Sequence, residues 1–172
     1  MKLPTSKALC LVSLLSLTLL GCTPGQAQTQ KVDLTCHVVK IADGDTFTCL
    51  TEQREQVRVR LKNIDAPETK QDFSSVSSNA LAEMIFQRDV DLVQTEKDRY
   101  GRTLAVVLVK PSGDNVNEYM VANGHAWAYT HFIKDKDDKR LYKRLEDKAI
   151  EEKRGLWAHP RPIPPWDFRR MK

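Results

Sequence analysis

Residues 57–62 alternate strictly between apolar and charged, with Val57, Val59 and Leu61 set against Arg58, Arg60 and Lys62. Successive side chains of a β-strand point to opposite faces, so this stretch can bury its apolar half only as a strand with a polar reverse side. Four other short β-rich runs, at 34–41, 46–50, 90–95 and 103–109, bring the expected strands to five. The first two flank Ala42-Asp43-Gly44-Asp45, a turn cluster, and read as a hairpin.

Helical signals lie between and after these strands. Ser74 to Ser78 offer starting caps for a stripe of Ala80, Leu81, Met84 and Ile85. Asn115 followed by Glu118 resembles a capping box, and Gly124 is a natural stop, which predicts a helix over 116–123. Leu141, Leu145, Ala149 and Ile150 share one face of a third helix over about 138–153. The tail "RGLWAHPRPIPPWDFRR" holds too many prolines for regular structure, and Trp157 and Trp166 are expected to pin it to the body. The expectation is an α+β domain over 34–168, a closed or nearly closed five-stranded barrel of the OB type with about three helices. Such a topology leaves function open.

The first residues read as a leader. Lys2 and Lys7 precede an apolar run from Ala8 to Leu20 that is short for a membrane span. Leu19-Leu20-Gly21-Cys22 resembles a bacterial lipobox, which implies cleavage before Cys22 and acylation of that cysteine. The other reading is a plain signal peptide cleaved after Ala27. Residues 22–33 are polar and unpatterned, and read as a tether between membrane and domain. The expected location is the bacterial cell envelope, lipid-anchored on the extracytoplasmic side, and nothing in the sequence points away from a monomer. Without residues 1–21, 25 basic and 23 acidic residues remain, so net charge falls from +4 to +2 and says little about a polyanionic partner. Cys36 and Cys49 stand on opposite arms of the hairpin at nearly mirrored distances from its turn. An oxidising compartment makes a cross-strand disulfide their natural reading, and two buried thiols the other.

Three polar segments carry the chemistry: Asp43-Gly44-Asp45-Thr46 at the hairpin tip, Arg60-Leu61 continuing to Ile64-Asp65-Ala66-Pro67-Glu68, and Asp98-Arg99-Tyr100-Gly101-Arg102. Each is ordinary alone. Together they hold hard carboxylates, a potential base and guanidiniums, a set suited to Ca²⁺ or Mg²⁺ rather than zinc. His37, His125, His131 and His159 are scattered without ligand spacing.

In this order and at this spacing the segments resemble those of the staphylococcal nuclease (thermonuclease) family, from about Val38 to Trp157, with "VNEYMVANGHAWAY" and "EEKRGLW" in support. The resemblance implies that Asp45 and Asp65 are calcium ligands, joined by the Ala66 backbone carbonyl. It implies that Glu68 acts as base or water-positioning group, that Arg60 and Arg102 bind phosphate and that Tyr100 contacts a substrate phosphate. Asp43 matches a carboxylate near the metal, and Tyr129 or Thr130 falls where a second tyrosine is expected. Ala66 stands where the best-known member has threonine, and the loop after Glu68, "TKQDFSS", is shorter. The implied function is a calcium-dependent nuclease of low sequence specificity, acting on DNA and RNA with single strands preferred and leaving 3′-phosphate ends. The alternative is a catalytically inactive barrel that binds nucleic acid or protein at the envelope.

Overall fold

A computed structural model describes residues 31–171; the leader and Cys22 lie outside the described residues. Strands β1 (Val32–Ile41), β2 (Thr46–Leu50), β3 (Gln56–Leu61), β5 (Asp89–Lys97) and β6 (Thr103–Val109) close into a barrel in the order β1-β2-β3-β6-β5. β1 thus begins two residues inside the stretch read as tether. Closure depends on a parallel pairing of β3 with β6, in which Arg60 stands opposite Leu104. Every other barrel neighbour is antiparallel.

The alternation over residues 57–62 governs β3: Val59 and Leu61 are fully buried while Arg58 is exposed. They meet Phe47, Val38, Leu92 and Val107 in the barrel interior, from which water is excluded. A disulfide joins Cys36 to Cys49 with Cα atoms 5.6 Å apart. Cys49 faces Val38 in the ladder, so the bond runs diagonally, two residues off the direct partner.

Helix α1 (Ser74–Ile85) seals the barrel with Leu81 and Ile85, both fully buried. Its entry differs from the expectation. The cap position is Phe73, in the left-handed region and with no side-chain cap, while Ser77 turns inward and donates its hydroxyl to the His125 carbonyl at 2.7 Å. Helix α2 (Val116–Ala122) starts as predicted: Asn115 accepts from the Glu118 backbone N–H at 3.1 Å and donates to its carboxylate at 2.8 Å. Asn117, fully buried, bridges strands by donating to the Lys62 and Ala105 carbonyls and accepting from Val107 N–H. Helix α3 (Lys136–Glu151) begins at the Asp135 cap and packs on α2.

The chain then meets its own earlier segment. The Leu156 N–H donates to the Gly124 carbonyl at 2.9 Å, and the Arg154 guanidinium donates to the Ala122 carbonyl at 2.8 Å. Gly124 and Gly155 both have positive φ, and a Cβ on Gly124 would lie 2.2 Å from the Arg154 carbonyl oxygen. Only glycine fits either side of this contact.

The proline-rich tail is more regular than expected. After a 3-10 turn at Gly155–Ala158 it forms a fourth helix, α4 (Pro165–Arg170), with a proline at its start. A proline there needs no backbone N–H and already has the helical φ, so proline content did not forbid the helix. As anticipated, the two tryptophans pin the tail: Trp157 meets Trp127 edge-on at 5.4 Å, and Trp166 stacks on Tyr129 at 5.4 Å and 14°.

Candidate active site

One end of the barrel gathers the three polar segments because the ladders bring them there. The Leu61 N–H donates to the Asp45 carbonyl at 2.8 Å, which fixes the hairpin tip against the end of β3. Asn63, at φ 68, then turns the chain into β4 (Ile64–Asp65); asparagine tolerates this conformation at little cost. β4 pairs with β7 (Trp127–Ala128), setting Asp65 opposite Trp127. Pro67 ends the pairing and releases Glu68 into a turn. There the Gln71 side chain accepts the Glu68 N–H at 3.0 Å.

Asp45, 6% exposed, is held from three sides. Its Oδ1 accepts from the Thr46 hydroxyl (2.9 Å), its Oδ2 accepts from Ala66 N–H (2.9 Å), and its own N–H donates to Asp43 (3.0 Å). Gly44 is required at this tip, since a Cβ there would lie 1.9 Å from Ser77 Oγ and 2.9 Å from Ala66 Cβ. Arg60 is the hub. Its Nη1 donates to the Leu61 and Ile64 carbonyls at 3.1 and 3.0 Å, and its Nη2 pairs with Asp65 Oδ1 at 2.6 Å and Asp45 Oδ2 at 3.2 Å. Burial opposes its charge, yet Asp45 and Asp65 outweigh burial and hold its pKa above the ordinary arginine value.

The carboxylates are under electrostatic pressure. Burial, then the Asp45 charge, pushes Asp43 up to about 6. Burial also raises Asp65, against hydrogen bonding from Arg169 and the charge of Arg60. Burial first, and the neighbouring carboxylate second, thus oppose ionisation of Asp43 at the hairpin tip.

The third segment forms the turn between β5 and β6. Asp98 accepts from the backbone N–H groups of Tyr100 (2.8 Å) and Arg102 (2.9 Å) and from Arg102 Nε (2.7 Å), while Gly101 takes φ 79. Tyr100 is 68% exposed, its ring lies under Arg99 and Arg102, and its hydroxyl accepts from Arg99 at 2.7 Å. Asp45, Arg60, Asp65, Glu68, Tyr100 and Arg102 all line one cleft of about 830 Å³. Ala66 and Tyr129 line it too.

One residue of the site carries no sequence signal. Arg169, on α4, donates to Glu68 Oε1 at 2.6 Å and to Asp65 Oδ2 at 2.8 Å and Oδ1 at 3.3 Å. It lies just past the expected domain boundary at residue 168 and outside the three segments. No spacing links it to Glu68, 101 positions earlier.

Could these groups hold calcium? Among the described residues no three His, Cys, Asp or Glu side chains form a ready cage. Calcium accepts backbone carbonyls and waters beside one or two carboxylates. Asp45, Asp65 and the Ala66 carbonyl therefore fit in donor type, although Arg60 and Arg169 hold the Asp65 oxygens and Arg60 holds one of Asp45.

Residues 58–159 match the family described as staphylococcal nuclease homologue. The chain belongs to this family. Beyond the family match, it is 44% identical over 138 residues to an uncharacterized endonuclease of Haemophilus influenzae, covering 80% of this chain and 74% of that one. It is 39% identical over 140 residues to an uncharacterized endonuclease of Escherichia coli O157:H7, covering 81% and 88%. A micrococcal nuclease of Shigella flexneri is 42% identical over 145 residues, covering 80% and 82%. Within this staphylococcal nuclease homologue, the family segment includes Arg60, Asp65, Glu68 and Arg102 but neither Asp45 nor Arg169.

Proposed function

We propose that this chain is a calcium-dependent nuclease that hydrolyses DNA and RNA with little regard to sequence, prefers unpaired strands and leaves 3′-phosphate ends. The coarse part, a hydrolase of nucleic-acid phosphodiesters, rests on family membership. The finer reading is supported above all by one observation: buried Asp45 and Asp65, bridged by Arg60, share a cleft with Glu68, Arg102 and Tyr100.

Attack of water on a phosphodiester adds charge to a centre that is already anionic. Arginine answers this well because it stays charged: Arg102, held by Asp98 through Nε, can fork onto two phosphate oxygens with its Nη groups, while Arg60 adds its charge beside the carboxylates. Arg60 sits on β3 and Arg102 immediately precedes β6, and the parallel pairing of Val59 with Thr103 brings the two arginines to the same end of the barrel. Glu68, on a turn braced by Gln71, is paired with Arg169 through Oε1 and keeps Oε2 for a proton from an attacking water. Calcium bound by Asp45, Asp65 and the Ala66 carbonyl would supply further charge neutralisation and orient that water. Recognition falls on phosphates, which position a strand without reading its bases, while exposed Tyr100 offers a surface for an unpaired nucleotide. The envelope location and the Cys22 anchor belong to the same proposal.

Denatured DNA incubated with the protein in calcium, then in EGTA, tests the reading. Cleavage that EGTA abolishes supports it, and a folded protein without calcium-dependent cleavage overturns it. Cys22→Ser should release the protein from membranes or leave it unprocessed, and unchanged fractionation would favour the plain signal peptide.

A further inference from the structure

We propose that Arg169 is a resident counter-ion of the cation site, which a divalent cation must displace, so that helix α4 sets the cation affinity of the enzyme. This rests on the calcium reading above and adds a residue to it.

The guanidinium holds the oxygens a cation would need. It bonds both oxygens of Asp65 and also Glu68 Oε1. Asp65 Oδ1 already receives Arg60, so this carboxylate, 1% exposed, lies between two arginines. A divalent ion on Asp65 and a guanidinium on the same buried group would repel at close range in a poorly screened place. Arg60 cannot yield easily, since its other donors are fixed on the Leu61 and Ile64 carbonyls. Arg169 can, because its side chain is 39% exposed toward the cleft.

The backbone that delivers Arg169 is nonetheless well fastened. Trp166 stacks on Tyr129, Pro165 is buried, and Gln71 donates to the Ile163 carbonyl at 2.5 Å. The same Gln71 accepts the Glu68 N–H, so one side chain ties the Glu68 turn to the approach of α4. Displacement therefore asks for a side-chain rotation and leaves the helix seated. Competition of this kind raises the calcium concentration at which the site fills.

Isothermal titration of calcium into the full-length chain, with circular dichroism to verify folding, decides the matter. Arg169→Gln should bind calcium about tenfold tighter or more, which corresponds to roughly 1.4 kcal/mol. Arg169→Lys, which keeps the charge and loses the fork, should tighten binding by a smaller factor and serves if the glutamine variant does not fold. Lys134→Gln removes another cleft cation that makes no carboxylate contact among the described residues, and should change affinity by less than about twofold because its field is screened. Unchanged or weaker affinity in the Arg169 variants overturns the proposal, as does equal tightening in Lys134→Gln. If no folded variant binds calcium, wild type included, the calcium reading falls and takes this one with it.

Discussion

Arg60 Nη2 reaches Asp65 Oδ1 at 2.6 Å while its Nη1 donates to the carbonyl of Ile64, the residue just before that aspartate. One guanidinium thus fixes both the backbone and the side chain of the turn that carries the acidic site. Lysine could neutralise the charge but could not span these acceptors. Arg60→Lys should therefore lose at least about a hundredfold in kcat/KM, in line with the loss of a charge-stabilising donor. Arg60→Ala should also unfold more easily, by roughly 3 kcal/mol, as when one partner of a buried pair is removed. Urea denaturation of both variants beside steady-state cleavage checks the two effects separately.

Glu68 is the part of the site that can be altered without disturbing the barrel, being one third exposed and held through its backbone by Gln71. Glu68→Gln keeps the shape and removes the base. Cleavage should fall by about 10²–10⁴-fold, the usual worth of general base catalysis, with the melting temperature within a few degrees of wild type. Undiminished turnover would take Glu68 out of the mechanism.

Asp43 gives the calcium-free protein a pH signature. Its folded value, raised to about 6 from 3.8, means the folded state binds a proton more readily than the unfolded chain. The resulting destabilisation is fully present above pH 6, shrinks as pH falls between 6 and 3.8, and is absent below. Asp43→Asn keeps an oxygen for the Asp45 N–H and removes the charge. In EGTA at pH 7 it should be more stable than wild type by about 1 kcal/mol, a figure discounted for partial exposure, and the gain should vanish toward pH 4. Denaturant melts at several pH values measure this directly.

Gly44 tests whether the hairpin tip is set by contact with α1. Gly44→Ala places a methyl against Ser77 and Ala66, so tip and helix must separate. The expected loss is about 1–3 kcal/mol of stability, as for overpacking elsewhere. A drop in calcium affinity measured by titration should accompany it, because Asp45 is the next residue.

The Cys36–Cys49 bond closes a short loop, with a sequence separation of 13. The intact protein should weigh two mass units less than its reduced form. Cys36→Ser with Cys49→Ser should lower stability by roughly 2–4 kcal/mol, mainly through a freer unfolded chain.

The barrel and most of the site were legible because they depend on local patterns. Alternation at 57–62 places Val59 and Leu61 inside, and the hairpin signals lead to the mirrored cysteines. Three short polar segments, each ordinary alone, name Asp45, Arg60, Asp65, Glu68 and Arg102 as candidates only through their joint resemblance to the family. What stayed hidden depends on contacts distant in sequence. The two-residue ladder between β4 and β7 is too short to leave a periodic trace. Phe73 starts α1 without a cap because burial of Leu81 and Ile85 fixes the helix where local capping does not. Prolines argue against regular structure in the tail, yet at a first helical position one is compatible with the α4 that carries Arg169 to Glu68.

The glycine contact between residues 124 and 155 separates kinship from competence. Both glycines lie inside the family segment at 58–159, whereas Asp45 lies before it. A descendant could keep the stretch that marks it as kin, lock its helices together and fold normally, yet exchange one aspartate upstream and lose a carboxylate of the proposed calcium site. The family segment carries Arg60, Asp65, Glu68 and Arg102 but stops short of Asp45, so a census of working enzymes among its cousins has to include the hairpin tip.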